Sequence, residues 1–188
     1  MTVELVLGGA RSGKSRFAEQ RIGELCEGRV TSKQHVTKHY VATSEPLDEE
    51  MQRRIAHHQQ QRGEGWQEWE VPHELANALA QFSSDDVVLV DCLTLWLNNV
   101  IYYSEGNESD REPAIEQAIT SLVQALERSD AHIVLVSNEV GLGVVPLGEV
   151  SRLFVDNAGR MNQRVAAVAR QVTLVAAGLP LVLKGDAK

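Results

Sequence analysis

Eight residues constrain this chain more than any others. Gly8-Gly9-Ala10-Arg11-Ser12-Gly13-Lys14-Ser15 has the spacing G-x-x-x-x-G-K-S. It stands between an apolar run, Val3–Leu7, and a stretch of helix formers, Ser15–Cys26. Strand, glycine-rich loop and helix in that order form the context in which such a loop binds phosphate. The glycines let the backbone curl until successive N–H groups point inward, and the helix that follows adds the partial positive charge of its N-terminus. Lys14 supplies a point charge for the β- and γ-phosphates, and the Ser15 hydroxyl is a candidate Mg²⁺ ligand. The loop predicts an enzyme that uses ATP or GTP.

The rest of the chain supports an α/β fold. Val87–Val90 and Ile133–Val136 are continuous apolar runs of the kind buried on both faces of a parallel sheet. Tyr40–Thr43 and Trp66–Val71 read as further strands. Val172–Ala176 and Leu181–Leu183, parted by Gly178-Leu179-Pro180, read as a closing hairpin. Helical patterns fall between them at 46–61, 74–82, 93–101, 113–128 and 149–170. Strands separated by helices imply a mostly parallel sheet with right-handed crossovers. The segments 28–38 and 104–112 are polar and read as loops. At 188 residues, and with no linker or repeat, the expectation is a single domain, 1–188.

Composition narrows the function. The formal net charge of -8, from 18 Lys+Arg against 26 Asp+Glu, disfavours a nucleic-acid surface, which needs basic patches. Two cysteines, Cys26 and Cys92, form no disulfide framework, and no run approaches the ~18 apolar residues of a membrane span. With a start too soon broken by glycine for a signal peptide, the expectation is a cytoplasmic protein.

Further candidates surround the loop. Val87-Val88-Leu89-Val90-Asp91 is an apolar strand ending in a carboxylate, which places Asp91 beside the phosphate loop as a second Mg²⁺ contact or, alternatively, as the N-cap of the helix that follows. On a helix over 46–61, Leu47, Met51, Ile55 and His58 fall within one stripe about 80° wide, with Arg62 one turn later and His57 pointing elsewhere. His58 is then either a histidine ending an apolar stripe or a nucleophile whose neutral imidazole attacks an α-phosphoryl group. Spacing does not choose between them. The loop Ser137–Pro146 is either shaped toward a substrate or a plain connection. Arg152, Asp156, Gly159, Arg160, Asn162 and Gln163 read mostly as a solvated helix face. His35 and His39 stand four apart, but on a loop and a strand, which is poor ground for a zinc pair.

Four segments in this order resemble one family over nearly the whole chain: LVLGGARSGKSRFAE, YVATSEPLDEEMQRRIAHHQQQR, VLVDCLTLWLNN and VSNEVGLGVVP…RLFVDNAGRMNQRVA. The chain resembles the bifunctional adenosylcobinamide kinase/adenosylcobinamide-phosphate guanylyltransferases of cobalamin biosynthesis. The resemblance implies phosphorylation of adenosylcobinamide with ATP or GTP. It then implies transfer of GMP from GTP to that phosphate through a GMP-histidine intermediate, giving adenosyl-GDP-cobinamide and pyrophosphate. It sets the histidine on His58, within R-I-x-x-H-x-x-x-R, and nucleotide contacts on Thr43, Ser44, Glu45, Gln59, Gln60, Gln61, Arg62, Glu70 and Asp91. It further implies a three-layer, RecA-like P-loop fold with an antiparallel C-terminal edge hairpin, and a homotrimer. Two departures stand out. Gly63 follows Arg62 where the family usually has proline, and the polar stretch 28–38 is longer than typical. Two other readings share the phosphate loop: a kinase of a different small metabolite, which does not need His58, and a RecA-like module whose nucleotide use serves assembly.

Overall fold

A computed structural model describes residues 2–30, 36–45, 64–104 and 108–185. Its strands are β1 (Thr2–Gly8), β2 (Thr37–Ala42), β3 (Trp66–Glu70), β4 (Asp86–Asp91), β5 (His132–Asn138), β6 (Gln171–Ala176) and β7 (Leu179–Lys184). The helices among the described residues are α1 (Lys14–Val30), α2 (Leu75–Leu79), α3 (Leu93–Tyr103), α4 (Glu108–Arg128) and α5 (Glu149–Val168).

All seven strands join one sheet in the order β3-β2-β4-β5-β1-β6-β7. Six run parallel, and β7 returns antiparallel to β6 at the edge. The turn is tight because Ala177 and Gly178 both take positive φ (52° and 78°), the twist-matched geometry of a two-residue hairpin. The expected α/β architecture with its C-terminal hairpin is therefore present.

Period-two alternation sorts the strand residues between two layers. Val6, Val87, Leu89, Val134 and Val136 pack with Ala18 and Ile22 of α1 on one face. Leu5, Leu7, Val88, Val90, Ile133 and Leu135 pack on the other face, against α2 to α5 through residues such as Leu79, Trp96, Leu97, Ile119, Leu122 and Met161. The central strands β4 and β5 are buried on both faces, which is why their sequences are unbroken apolar runs rather than alternating ones. A half-buried pair, Arg21 with the buried Glu4 at 2.7 Å, pins α1 to β1.

Three sequence expectations change. The polar stretch 28–38 is not one loop: residues 28–30 finish α1, and Thr37 and Lys38 begin β2. The stretch 104–112 is helical from Glu108 onward, with Pro113 inside α4. A charge-rich first turn carries no apolar period, and proline near a helix start removes only one bond of the ladder. In α5, Asn162, expected on the solvated face, is buried, as is Asn157, so the polar face is smaller than its composition suggests. The helix expected over 46–61 lies outside the described residues. No helix among the described residues is long and apolar enough to cross a membrane.

Candidate functional site

The carboxyl ends of the parallel strands share one rim of the sheet. Following the strand order, the rim carries Glu70 at the end of β3, Thr43-Ser44-Glu45 after β2, Asp91 on β4, Asn138 on β5 and Gly8–Ser15 from the end of β1. Every described residue expected to touch nucleotide stands here. Four strand spacings separate β3 from β1, roughly 19 Å at ~4.8 Å each, so Glu70 and the phosphate loop stand far apart on the rim. His58, Gln59, Gln60, Gln61 and Arg62 lie outside the described residues, in the connection between Glu45 and Glu64.

The loop has the geometry its glycines imply. Arg11 and Gly13 take φ of 56° and 93°. A side chain on Gly8 would put its Cβ 2.6 Å from the Val175 carbonyl oxygen, and one on Gly13 would lie 3.2 Å from the Gly178 Cα. Neighbouring strands hold the loop in place. Glu139 N donates to Gly8 O (3.1 Å), Gly178 N donates to Ser12 O (2.8 Å), and Ser12 N closes a turn on Gly9 O (3.3 Å). Lys14 opens α1, is buried, and donates from Nζ to Gly9 O at 3.0 Å, so its ammonium lies across the mouth of the loop. A cation and a helix N-terminus meeting within one curled segment favour a polyphosphate.

Along the rim, three strands from β1, Thr43 clasps β2 to β4. Its hydroxyl donates to Cys92 O (2.7 Å) and accepts from Cys92 N (2.9 Å), while its carbonyl accepts from Asn99 Nδ2 (2.8 Å). Thr43 is fully buried, so its visible task is to join these two strand ends. The N-cap alternative for Asp91 does not hold. Cys92, not Asp91, is the N-cap of α3, which leaves the half-buried Asp91 carboxylate free of that role. Burial, and then the nearby Asp91 charge, push the Cys92 thiol up to about 11, so it stays neutral and is no nucleophile.

Further along the rim, Glu45 is held from two sides. His73 Nε2 stands 3.0 Å from Oε1, and the Tyr103 hydroxyl donates to Oε2 at 2.8 Å. That bond to Glu45 raises the Tyr103 pKa, keeping the hydroxyl a donor. The His73 and Tyr103 rings meet edge to face at 4.8 Å. Glu70 is exposed at the end of β3. Neither His73 nor Tyr103 carries a sequence signal, because each reaches Glu45 only through the fold.

A polar web links β5 to its neighbours. Asn138 Nδ2 donates to Thr94 Oγ1 (3.1 Å), and Thr94 Oγ1 meets Cys92 Sγ at 3.1 Å. Asn162 of α5 donates to Asn138 O (3.3 Å) and accepts from Ser137 Oγ (2.7 Å). These bonds account for the burial of Asn162. The loop beyond them is tied to the phosphate loop through Glu139, and it then exposes an apolar run. Leu142, Val144, Val145 and Leu147 are 84%, 96%, 72% and 98% exposed. That is an unusual surface for aliphatic side chains. His39, by contrast, is buried in β2 between Asp86 (Nε2 to Oδ1, 3.0 Å) and Trp69, whose Nε1 donates to Nδ1 at 3.0 Å. Both ring nitrogens are occupied, so His39 is no metal ligand.

The donor set suits one kind of ion. Ser15 and Asp91 offer hard oxygens, and no group of three or more His, Cys, Asp or Glu gathers among the described residues. Hard oxygen donors of this kind would suit Mg²⁺ rather than zinc or iron.

Comparison with known proteins agrees with this geometry. Residues 4–183 match the family described as cobinamide kinase / cobinamide phosphate guanyltransferase. The bifunctional adenosylcobalamin biosynthesis protein CobP of Pseudomonas aeruginosa is 42% identical over 184 residues, covering 97% of this chain and 98% of that protein. The bifunctional CobU proteins of Escherichia coli and Salmonella typhimurium are 43% and 40% identical, each covering 96% of this chain and 98% of theirs. Among solved structures, the P4 protein from bacteriophage phi6 in complex with ADP aligns at 15% identity with a TM-score of 0.40, covering 95% of this chain and 52% of that one, a likeness too loose to argue from. Profile and relatives, spanning nearly the whole chain, agree that it belongs to the cobinamide kinase / cobinamide phosphate guanyltransferase family.

Proposed function

We propose that this chain phosphorylates adenosylcobinamide at the Gly8–Ser15 loop with ATP or GTP, and then transfers GMP from GTP to the phosphate through His58. Family membership supports both activities. The observation that carries the kinase half is the buried Lys14 closing a curled, glycine-built loop on the same rim as Asp91.

In the first step the substrate hydroxyl attacks the γ-phosphorus, the β–γ bridge breaks, and the nucleoside diphosphate leaves. Lys14 and the loop amides stabilise charge on the phosphoryl oxygens as it spreads. Ser15 and Asp91 would hold Mg²⁺, which when bound neutralises phosphate charge. In the second step a His58 nitrogen attacks the α-phosphorus of GTP and pyrophosphate leaves. The phosphate of adenosylcobinamide phosphate then attacks the same phosphorus, the P–N bond breaks, and the histidine is regenerated. Ser44, Glu45, Gln59, Gln60, Gln61, Arg62, Glu70 and Asp91 serve as nucleotide contacts in this reading, while the fully buried Thr43 holds the strand ends that carry them. Glu45 is held in one orientation, because His73 and Tyr103 fix both of its oxygens. The chain acts as one domain in the cytoplasm, as a homotrimer.

Incubation with GTP labelled at the α-phosphate tests the covalent step. Label should remain on denatured protein, be lost in acid, survive base, and disappear in His58→Ala. Equal labelling of that variant removes His58 from the mechanism.

A further inference from the structure

Two buried polar atoms on the phosphate rim, Ser12 Oγ and Asn138 Oδ1, have no hydrogen-bond partner among the described residues. Buried polar atoms are nearly always bonded, so an unbonded one in a binding site marks a place where a ligand completes the pairing. These two lie together. Gly8 of β1 and Asn138 of β5 are register partners, two residues beyond the pair Val6 and Val136, which both pack toward α1. Positions two apart on a strand share a face, so Gly8 and Asn138 also face the α1 side. Ser12 fills the room over Gly8, its Cβ standing 3.3 Å from where a Gly8 Cβ would be. The orphan atoms are therefore anchored about one strand spacing apart (~4.8 Å), on the face from which Lys14 and α1 rise.

The Asn138 amide is oriented, not free to turn. Its Nδ2 donates to Thr94 Oγ1 (3.1 Å), its backbone N approaches the same oxygen (3.4 Å), and its carbonyl is held by Asn162 Nδ2 (3.3 Å). With Nδ2 turned to Thr94, Oδ1 is the atom left for a ligand. An amide oxygen only accepts, so a phosphate oxygen, which also only accepts in its ionised form, is the wrong partner for it. A ligand hydroxyl is the right one. The Ser12 hydroxyl can donate, and so suits a phosphoryl oxygen.

We propose that Asn138 is a catalytic residue of the kinase step, its Oδ1 accepting a hydrogen bond from the corrinoid hydroxyl that attacks the γ-phosphoryl group, while Ser12 Oγ donates to a phosphoryl oxygen beside it. The inference rests on the kinase reading above. The hydrogen bond points the hydroxyl lone pair at phosphorus. The new O–P bond forms as the β–γ bridge breaks, the nucleoside diphosphate leaves, and the hydroxyl proton passes to the transferred phosphoryl group and then to solvent. The amide orients the nucleophile without taking its proton, which suits a loose phosphoryl transition state that needs little base assistance.

The test uses the full chain, with adenosylcobinamide as acceptor and ATP as donor, and measures equilibrium binding of ATP and ADP alongside turnover. Asn138→Ala should lower the kinase kcat about 100-fold while leaving ATP and ADP affinities, and their ratio, unchanged. Unchanged ADP binding also shows that the variant is folded. Asn138→Asp, which keeps an acceptor at the same place, should recover part of the lost kcat. A loss that falls on ATP affinity relative to ADP would identify a phosphate contact and overturn the assignment. So would an Asn138→Ala enzyme as fast as the wild type. A wild-type protein that leaves adenosylcobinamide unphosphorylated refutes the kinase reading and this contact with it, whereas a working wild type with an indifferent Asn138 refutes the contact alone.

Discussion

Replacing Thr43 with valine keeps the shape of the side chain and removes one atom's worth of hydrogen bonding. That hydroxyl serves both backbone groups of Cys92, at 2.7 and 2.9 Å, in a fully buried place. The two losses are unequal. Cys92 O also accepts from Trp96 N at 3.1 Å, so it keeps a partner in valine's presence. Cys92 N has Thr43 Oγ1 as its acceptor and becomes a buried orphan donor. An orphaned buried group costs about 1–3 kcal/mol, and weakening the carbonyl's second bond adds up to about 1 kcal/mol. Taken at the midpoints of these ranges, the variant should lose roughly 2–3 kcal/mol. At about 2–4 °C per kcal/mol for a chain of this size, its Tm should fall by roughly 4–12 °C. Urea denaturation and calorimetry read both quantities. Thr43→Ser is the control, since it keeps the hydroxyl and removes one methyl, at a cost of about 1 kcal/mol. Valine must therefore be the worse of the two. A valine variant as stable as the wild type, or more stable than the serine variant, refutes the claim that this hydroxyl joins β2 to β4.

Two other expectations follow from the same rim. Gly13→Ala places a Cβ 3.2 Å from the Gly178 Cα at a φ of 93°, so it should cost about 1–3 kcal/mol and weaken nucleotide binding, both visible as a lower Tm and a smaller ATP-dependent rise in Tm; an unchanged response to ATP counts against the hairpin as a buttress of the loop. Burial holds the Cys92 proton from its ordinary 9.0 up to about 11, so the native state retains a proton that the unfolded chain loses between those values. Native protein binds more protons in that window, and stability should fall as pH rises from 9 toward 11, less so in Cys92→Ala; identical slopes in the two proteins would contradict the buried, neutral thiol.

Much of the framework was legible in the chain because its causes are local. Val87–Val90 and Ile133–Val136 read as doubly buried strands since a strand covered on both faces has no polar positions. The hairpin read from its turn residues, because Gly178 tolerates the positive φ that the turn requires. Gly8–Ser15 announced a phosphate loop because the chemistry sits within eight consecutive residues. Local reading failed where a polar surface hides a regular element, as at Glu108–Glu112, and where a polar residue turns inward, as at Asn162.

What the sequence determined alone was thus the element types, the phosphate loop and the family resemblance. Tertiary structure decided the partners. Thr43 and Cys92 are 49 residues apart, Glu45 and Tyr103 58, and Ser137 and Asn162 25. No period of two or 3.6 residues encodes such meetings. They exist because the parallel strands of one sheet all end at the same rim, so side chains distant in the chain arrive within hydrogen-bond reach. Asn138 shows the difference most plainly. In the sequence it is one polar residue in a glycine-rich loop; in the fold it stands in register with Gly8, its amide held by Thr94 and its oxygen left for a ligand.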